Sequence, residues 1–233
     1  MNPITPRLFL SNSYWTDFRG EVLQTFQKEN HYGYLLDQTF FHPQTDEQPC
    51  DKGTLNGIPL TEVMEIDGSI LHVTDQQIEL EDEIVEAEID WDFRFLMMRQ
   101  HSAAHLISYF LPAKFKKNVS HKILPEWFSI FTKEPISREK IESILVKANS
   151  IVNEGKKIEV YFGTKCSIDG PKVKGIDTSC ETGPNRVVEI EGLGREACYG
   201  THCKNTSEIG EILFESSFQM TDGNFRMNFY LGE

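Results

Sequence analysis

The texture of the chain changes near residue 90, and that change limits the folds open to it. Residues 1–90 contain the short runs EVLQTF, YGYLLDQTFF, EVMEI, SILHV and EIVEAEI, separated by the turn clusters ENHYG, HPQTDEQP, DKGTLNG and IDG. Ile84, Val85, Ala87, Ile89 and Trp91 nearly alternate with acids, the pattern of a half-buried strand. Many short strands at close spacing predict a small barrel or sandwich. From Phe93 to Leu111 there is neither Gly nor Pro. There Asp92 can cap a helix, Pro112 ends it, and Phe95, Met98, Leu106 and Phe110 fall on an apolar stripe. A second helix is predicted from Ser137 as cap to Gly155 as terminator, with Ile141, Ile144, Leu145, Ala148, Ile151 and Val152 at helical spacing. Extended runs return in IEVYFG, NRVVEIEGL, EILFESSFQ and NFRMNFYLG. The expectation is an α+β chain: an N-terminal small β-barrel domain over 1–90, then a domain over 91–233 with helices packed on an antiparallel sheet.

Charge follows the same division. The net charge is −13, which by itself opposes a polyanionic partner. Residues 1–90, however, hold four Lys and Arg against 18 Asp and Glu, whereas the rest holds 19 against 18. The second half is thus free to meet nucleic acid. No run approaches the roughly 20 apolar residues of a membrane span, and MNPITPRLFL is not a leader of basic then apolar residues. Cys50, Cys166, Cys180, Cys198 and Cys203 are too few and odd in number for a disulfide scaffold. A cytoplasmic protein with no membrane partner is expected, its cysteines free or ligating metal.

Two short patterns carry chemistry. HSAAH sets His101 and His105 four residues apart in the first predicted helix, so both imidazoles leave one face about a turn apart. CYGTH sets Cys198 and His202 on a Gly-containing bend after NRVVEIEGL. Each alone also fits polar residues of a groove or a turn. Together, a thiolate and three imidazoles form the donor set that tetrahedral Zn²⁺ prefers. Metalloprotease chemistry does not fit, because HExxH needs a Glu where this chain has Ser102. Cys203 could replace Cys198 only if adjacent side chains converged on one ion.

EIDWDFRFLMMRQHSAAHLIS, followed by NRVVEIEGLGREACYGTHCKNTSEIG, resembles the editing domain of alanyl-tRNA synthetase and, more closely, the free-standing AlaX proteins of medium length. LLDQTFFHPQTDEQPCDKG resembles the first-half segment of that family, so the likeness covers nearly the whole chain. Thr45, Asp46 and Glu47 depart from the family's glycine run, Tyr199 from its usual glycine, and Ser102 and Ala103 from its Thr-Ala. The resemblance implies a zinc-dependent trans-editing hydrolase that deacylates mischarged tRNA-Ala, typically carrying serine and sometimes glycine. It implies no ATP-dependent charging, since an adenylate-forming domain does not fit beside a barrel and an editing fold. The alternatives are a deacylase like the threonyl-tRNA synthetase editing domain, with its similar ligand layout, or a non-catalytic zinc-stabilised RNA-binding module. NTSEIG and EIDW favour the alanine system.

Four protein ligands close a tetrahedral shell, so either zinc positions substrate with all four in place or one ligand yields to water or substrate. Catalytic residues are not assignable from the sequence. Candidate pocket residues are Ser102, Ser120, His121, Gly200 and Thr201: His121 and Ser120 lie where AlaX proteins line the pocket, and backbone N–H groups around Gly200 and Thr201 are candidate oxyanion donors. Ser102, Ser120 or Thr201 could recognise a serine hydroxyl. For tRNA, KFKKNVSHK offers Lys114, Lys116, Lys117 and Lys122, and KVK offers Lys172 and Lys174.

Overall fold

The computed structural model describes residues 4–115, 119–163 and 185–232. It divides into two compact units, Met1–Leu96 and Met97–Glu233. No helix among the described residues is long and apolar enough to cross a membrane.

The first unit is the expected barrel. Its strands are Asp17–Lys28 (β1), His31–Leu36 (β2), Gly53–Leu55 (β3), Ile58–Ile66 (β4), Ser69–Thr74 (β5) and Ile84–Ile89 (β6). They close in the order β1-β2-β5-β4-β3-β6, with β6 pairing back on β1, so no strand edge is left open. Val85, Ala87 and Ile89 of β6 point into a core that includes Leu36, Phe41, Leu55, Val63 and Ile70. The short β3 has no readable pattern, and it pairs with β6 through a glycine. A Cβ at Gly53, whose φ is +156°, would lie 2.2 Å from the Glu88 carbonyl oxygen and 2.7 Å from the Phe41 ring. At the departing Thr45–Glu47 segment a turn closes on itself: the Thr45 N–H and hydroxyl both donate to the Gln48 carbonyl, and the Gln48 N–H donates to the Thr45 hydroxyl.

Two buried polar groups shape this unit. Arg94 and Asp51 form an ion pair with both side chains fully buried. The guanidinium also donates to the carbonyls of Ser13 (2.8 Å) and Phe40 (2.6 Å), and the carboxylate accepts the His42 N–H. His72 lies with Nε2 2.8 Å from the Thr39 hydroxyl and Nδ1 3.2 Å from the Tyr34 carbonyl. Burial holds its pKa down to about 4, against a small upward pull from the Tyr34 carbonyl.

The first helix, Trp91–Phe110 (α1), starts two residues earlier than expected. Asp90, not Asp92, caps it by accepting the Phe93 N–H. The expected stripe is also too narrow: every residue from Gln100 to Ser108 is buried, so this stretch is enclosed on all faces. The second unit continues with Ser120–Ile123 (β7), Phe128–Thr132 (β8), Arg138–Glu154 (α2), Ile158–Gly163 (β9), Asn185–Ile190 (β10), Gly194–Ala197 (β11), Ile212–Gln219 (β12) and Phe225–Leu231 (β13). They form two antiparallel sheets, β11-β10-β9 and β12-β13-β8-β7. The Ser137 side chain caps α2, and Gly155, left-handed at φ 66°, ends it, both as the sequence predicts. Asn149 fastens α2 to β12 by donating to the Ile212 carbonyl and accepting its N–H.

Two consequences are measurable. Arg94→Met strands a buried carboxylate and should lower the barrel's unfolding free energy by about 3–5 kcal/mol in urea titration. His72 has a folded pKa below its unfolded value, so the unfolded state takes up the proton first as pH falls. The barrel should keep its full stability above about pH 6.5 and lose about 3 kcal/mol on going to pH 4. Unfolding followed across that window should flatten in His72→Gln.

Candidate metal centre

The two chemical motifs converge. His101 and His105, one turn apart on α1, meet Cys198 and His202 from the segment after β11. One donor atom from each lies within 4.8 Å of the others, and all four residues are buried. The Cys198 sulfur is 3.4 Å from His101 Nε2 and 3.2 Å from His202 Nε2. Separations near these suit donors sharing one ion at bond lengths of roughly 2.0–2.3 Å.

Neighbours fix the rings. His105 Nδ1 is 3.1 Å from the Glu196 carboxylate, which leaves Nε2 to face the cluster. His202 Nδ1 is 3.2 Å from the Ser102 hydroxyl, which also accepts the Cys203 N–H at 3.1 Å. With that hydroxyl accepting from Nδ1–H as well, Nε2 becomes the ligating atom. Gly200 N–H donates to the Cys198 sulfur at 3.4 Å, and Arg186 Nη1 donates to the Cys198 carbonyl at 2.5 Å. The loop that carries Cys198 and His202 is therefore held from both sides.

The electrostatics divide the imidazoles. Burial works against a charge on His105, yet the Cys198 sulfur and the Glu196 carboxylate overcome it and raise its pKa to about 10. His202 is held well below the ordinary imidazole value, first by burial and then by His101 and His105. An anion-rich side and an imidazole kept neutral suit a dication better than protons. The donor chemistry of one thiolate, three imidazoles, an outer carboxylate and an outer hydroxyl therefore fits a metal ion.

The remaining expected site residues divide. Ser102 and Thr201 are buried, Ser102 as the support for His202. His121, on β7, sits 5.4 Å from the His105 ring, centroid to centroid, and its Nε2 pairs with the Ser108 hydroxyl at 2.8 Å. Ser120 precedes it on the strand, projects to the opposite face and is exposed, so it is not brought to the cluster. The Gly200 N–H donates to the Cys198 sulfur. Cys203 is buried outside the four-residue group, and burial followed by Glu208 pushes its thiol up to about 12.

Lys114 pairs with Glu134 at 2.5 Å, and Lys122 lies on the outward face of β7. Lys116, Lys117, Lys172 and Lys174, with Cys166 and Cys180, fall outside the described residues. The sequence reading missed Glu196, Arg186 and Ser108. Glu196 was the most readable of these, because two-residue alternation sets it on the same side as Cys198.

Residues 186–226 match the family described as the Threonyl and Alanyl tRNA synthetase second additional domain. Along nearly its whole length the chain is similar to alanine–tRNA ligases. It is 31% identical to that of Methanococcus maripaludis strain C7, with 98% of this chain and 26% of the relative aligned. It is 29% identical to that of Ignicoccus hospitalis, with 99% and 26% aligned, and 28% identical to that of Halorubrum lacusprofundi, with 99% and 26%. The chain spans about a quarter of the length of the curated relatives it matches. The chain is thus similar to about a quarter of an alanine–tRNA ligase and matches, at residues 186–226, the second additional domain of the threonyl and alanyl enzymes, in keeping with its resemblance to AlaX proteins.

Proposed function

We propose that this chain is a zinc-dependent aminoacyl-tRNA deacylase that hydrolyses mischarged tRNA-Ala in trans, with seryl-tRNA-Ala as the main substrate and glycyl-tRNA-Ala as a second. The observation that carries the reading is the convergence of His101, His105, Cys198 and His202 within 4.8 Å in a relative of the alanine–tRNA ligases. An aminoacyl ester is already activated, so a site that orients it, supplies donors and excludes bulk water is enough for hydrolysis. Zinc held by the four residues would supply positive charge to attract the carbonyl or amine of the substrate.

The chain's own groups do the rest. Glu196 and Ser102 hold the rings of His105 and His202 in their ligating orientation. The His121–Ser108 pair offers a polar wall beside His105, and buried Thr201 offers a hydroxyl next to His202 in the chain. Ser120 faces away, which leaves Ser102 and Thr201, both buried, as the candidates for bonding the serine hydroxyl, and Thr201 is the one that does not also support a ring of the cluster through a bond to His202. An unpaired buried group facing alanine discriminates far better than a size filter. Lys122, on the outward face of β7, and Lys114 are the described candidates for phosphate contact.

The purified chain should carry about one Zn²⁺ by metal analysis. His101→Ala and Cys198→Ala should lose it while urea unfolding of the barrel is unchanged, and Glu196→Gln should weaken binding about 10- to 100-fold. Wild-type protein without bound metal after reconstitution would refute the zinc assignment. Incubation with Ser-tRNA-Ala, Gly-tRNA-Ala and Ser-tRNA-Thr, with and without chelator, tests the reaction. Chelator-sensitive hydrolysis of the first two is expected. Hydrolysis confined to Ser-tRNA-Thr would move the chain to the threonine system, and none at all would leave a binding module. Thr201→Val should slow Ser-tRNA-Ala hydrolysis about tenfold or more, the worth of one buried hydrogen bond, and bring the Ser/Ala ratio toward one.

A further inference from the structure

The sheet that carries His121 inward has a second, outward face with a different chemistry. Strand register defines two rows across it. One is Ser120, Phe131, Arg226 and Phe218, and the next is Lys122, Ser129, Asn228 and Ser216. Two cations and no carboxylate stand in these rows, in a chain of net charge −13. Arg226 is at the centre. Its guanidinium lies 4.3 Å over the Trp127 ring and within 5.9 Å of the Phe131 and Phe218 ring centres. Its Nε donates to the Ser129 hydroxyl (2.9 Å) and to Asn228 Oδ1 (2.8 Å), and Asn228 in turn donates to the Ser216 hydroxyl.

Stacking and the Nε bonds fix the plane of this guanidinium, while neither Nη has a hydrogen-bond or carboxylate partner among the described residues. A planar fork held by one edge with the other edge open is preorganised for a phosphate. Beside it, Phe218 is 46% exposed and Phe131 half-buried, so their rings are placed to stack on bases, as aromatic residues do on other sheet faces that bind single strands.

We propose that this outer face of β12-β13-β8-β7 binds unpaired RNA nucleotides, with Arg226 taking a backbone phosphate on its Nη edge and Phe218 and Phe131 stacking the adjoining bases. The proposal rests on the tRNA reading above for the kind of nucleic acid met. A second copy of the chain fits less well, because a twofold contact through these rows would set Arg226 against its own symmetry mate.

Fluorescence anisotropy of the full chain with a short labelled single-stranded RNA tests it, with thermal unfolding as the fold control. Phe218→Ala, at a half-exposed ring, should keep the melting temperature and weaken binding about five- to a hundredfold, and Phe218→Trp should restore it. Arg226→Gln should lower the slope of log K against log salt by about one, whereas Arg226→Lys should keep the slope and still weaken binding. Wild-type affinity in both Phe218→Ala and Arg226→Lys would overturn the proposal. So would concentration-dependent dimerisation lost in Phe218→Ala with RNA affinity unchanged. Deacylation measured in parallel separates the two readings. Hydrolysis whose KM is indifferent to Phe218 and Arg226 overturns the platform and leaves the deacylase, and RNA binding through these residues without hydrolysis supports the platform alone.

Discussion

Three imidazoles and a thiol packed out of water within 4.8 Å of one another are the constraint on which the second unit depends. Buried nitrogen and sulfur donors facing each other are unfavourable unless an ion or a set of fixed protons satisfies them. The surrounding architecture keeps them there. α1 is enclosed on every side from Gln100 to Ser108, which leaves its two histidines no route to rotate outward. Arg186 and the Gly200 N–H hold the opposing loop by its carbonyl and its sulfur. Glu196 and the Ser102 hydroxyl set the rings. The site is thus a product of backbone placement from two segments about a hundred residues apart, with a supporting shell that decides which nitrogen points inward.

The barrel solves a different problem. Its acidic strands would repel one another along an open edge; closure, with Gly53 letting β3 approach β6, leaves the acids on the outside and a continuous apolar interior. The Arg94–Asp51 pair, like His72, interrupts that interior, and it survives because the guanidinium meets two carbonyls and both carboxylate oxygens while the carboxylate also takes the His42 amide. Arg94 is a residue of α1, so the first turn of that helix belongs physically to the barrel.

Much of this was readable before any coordinates. The four clustered donors stood in two short motifs, the barrel strands in runs bounded by turn residues, and α2 in its Ser137 and Gly155 caps. What escaped did so for identifiable reasons. β7 and β8 lie in KNVSHKILPEW and the residues after it, where Ser and Lys alternate with apolar residues across a Pro-containing turn, and no run is long enough to outweigh a loop. α1 was given a stripe because its polar residues read as solvent-facing. In fact Gln100, Ser102 and Ser108 are buried and bond inside the fold, to the Pro125 carbonyl, to His202 and to His121. Pairings such as Glu196 with His105 join segments far apart in sequence, and only the folded register reveals them.

β7 is short, yet adjacent residues on it serve opposite surfaces: His121 faces the histidine cluster while Ser120 and Lys122 face outward. Since side chains alternate strictly along a strand, moving its pairing with β8 by one residue would exchange the two sets, drawing a lysine toward the interior and sending the histidine out. The turn 124–127 that joins the two strands sets this register. Its length is therefore under a constraint that surface turns seldom carry. Related chains should tolerate varied residue types there, but insertions or deletions only in pairs.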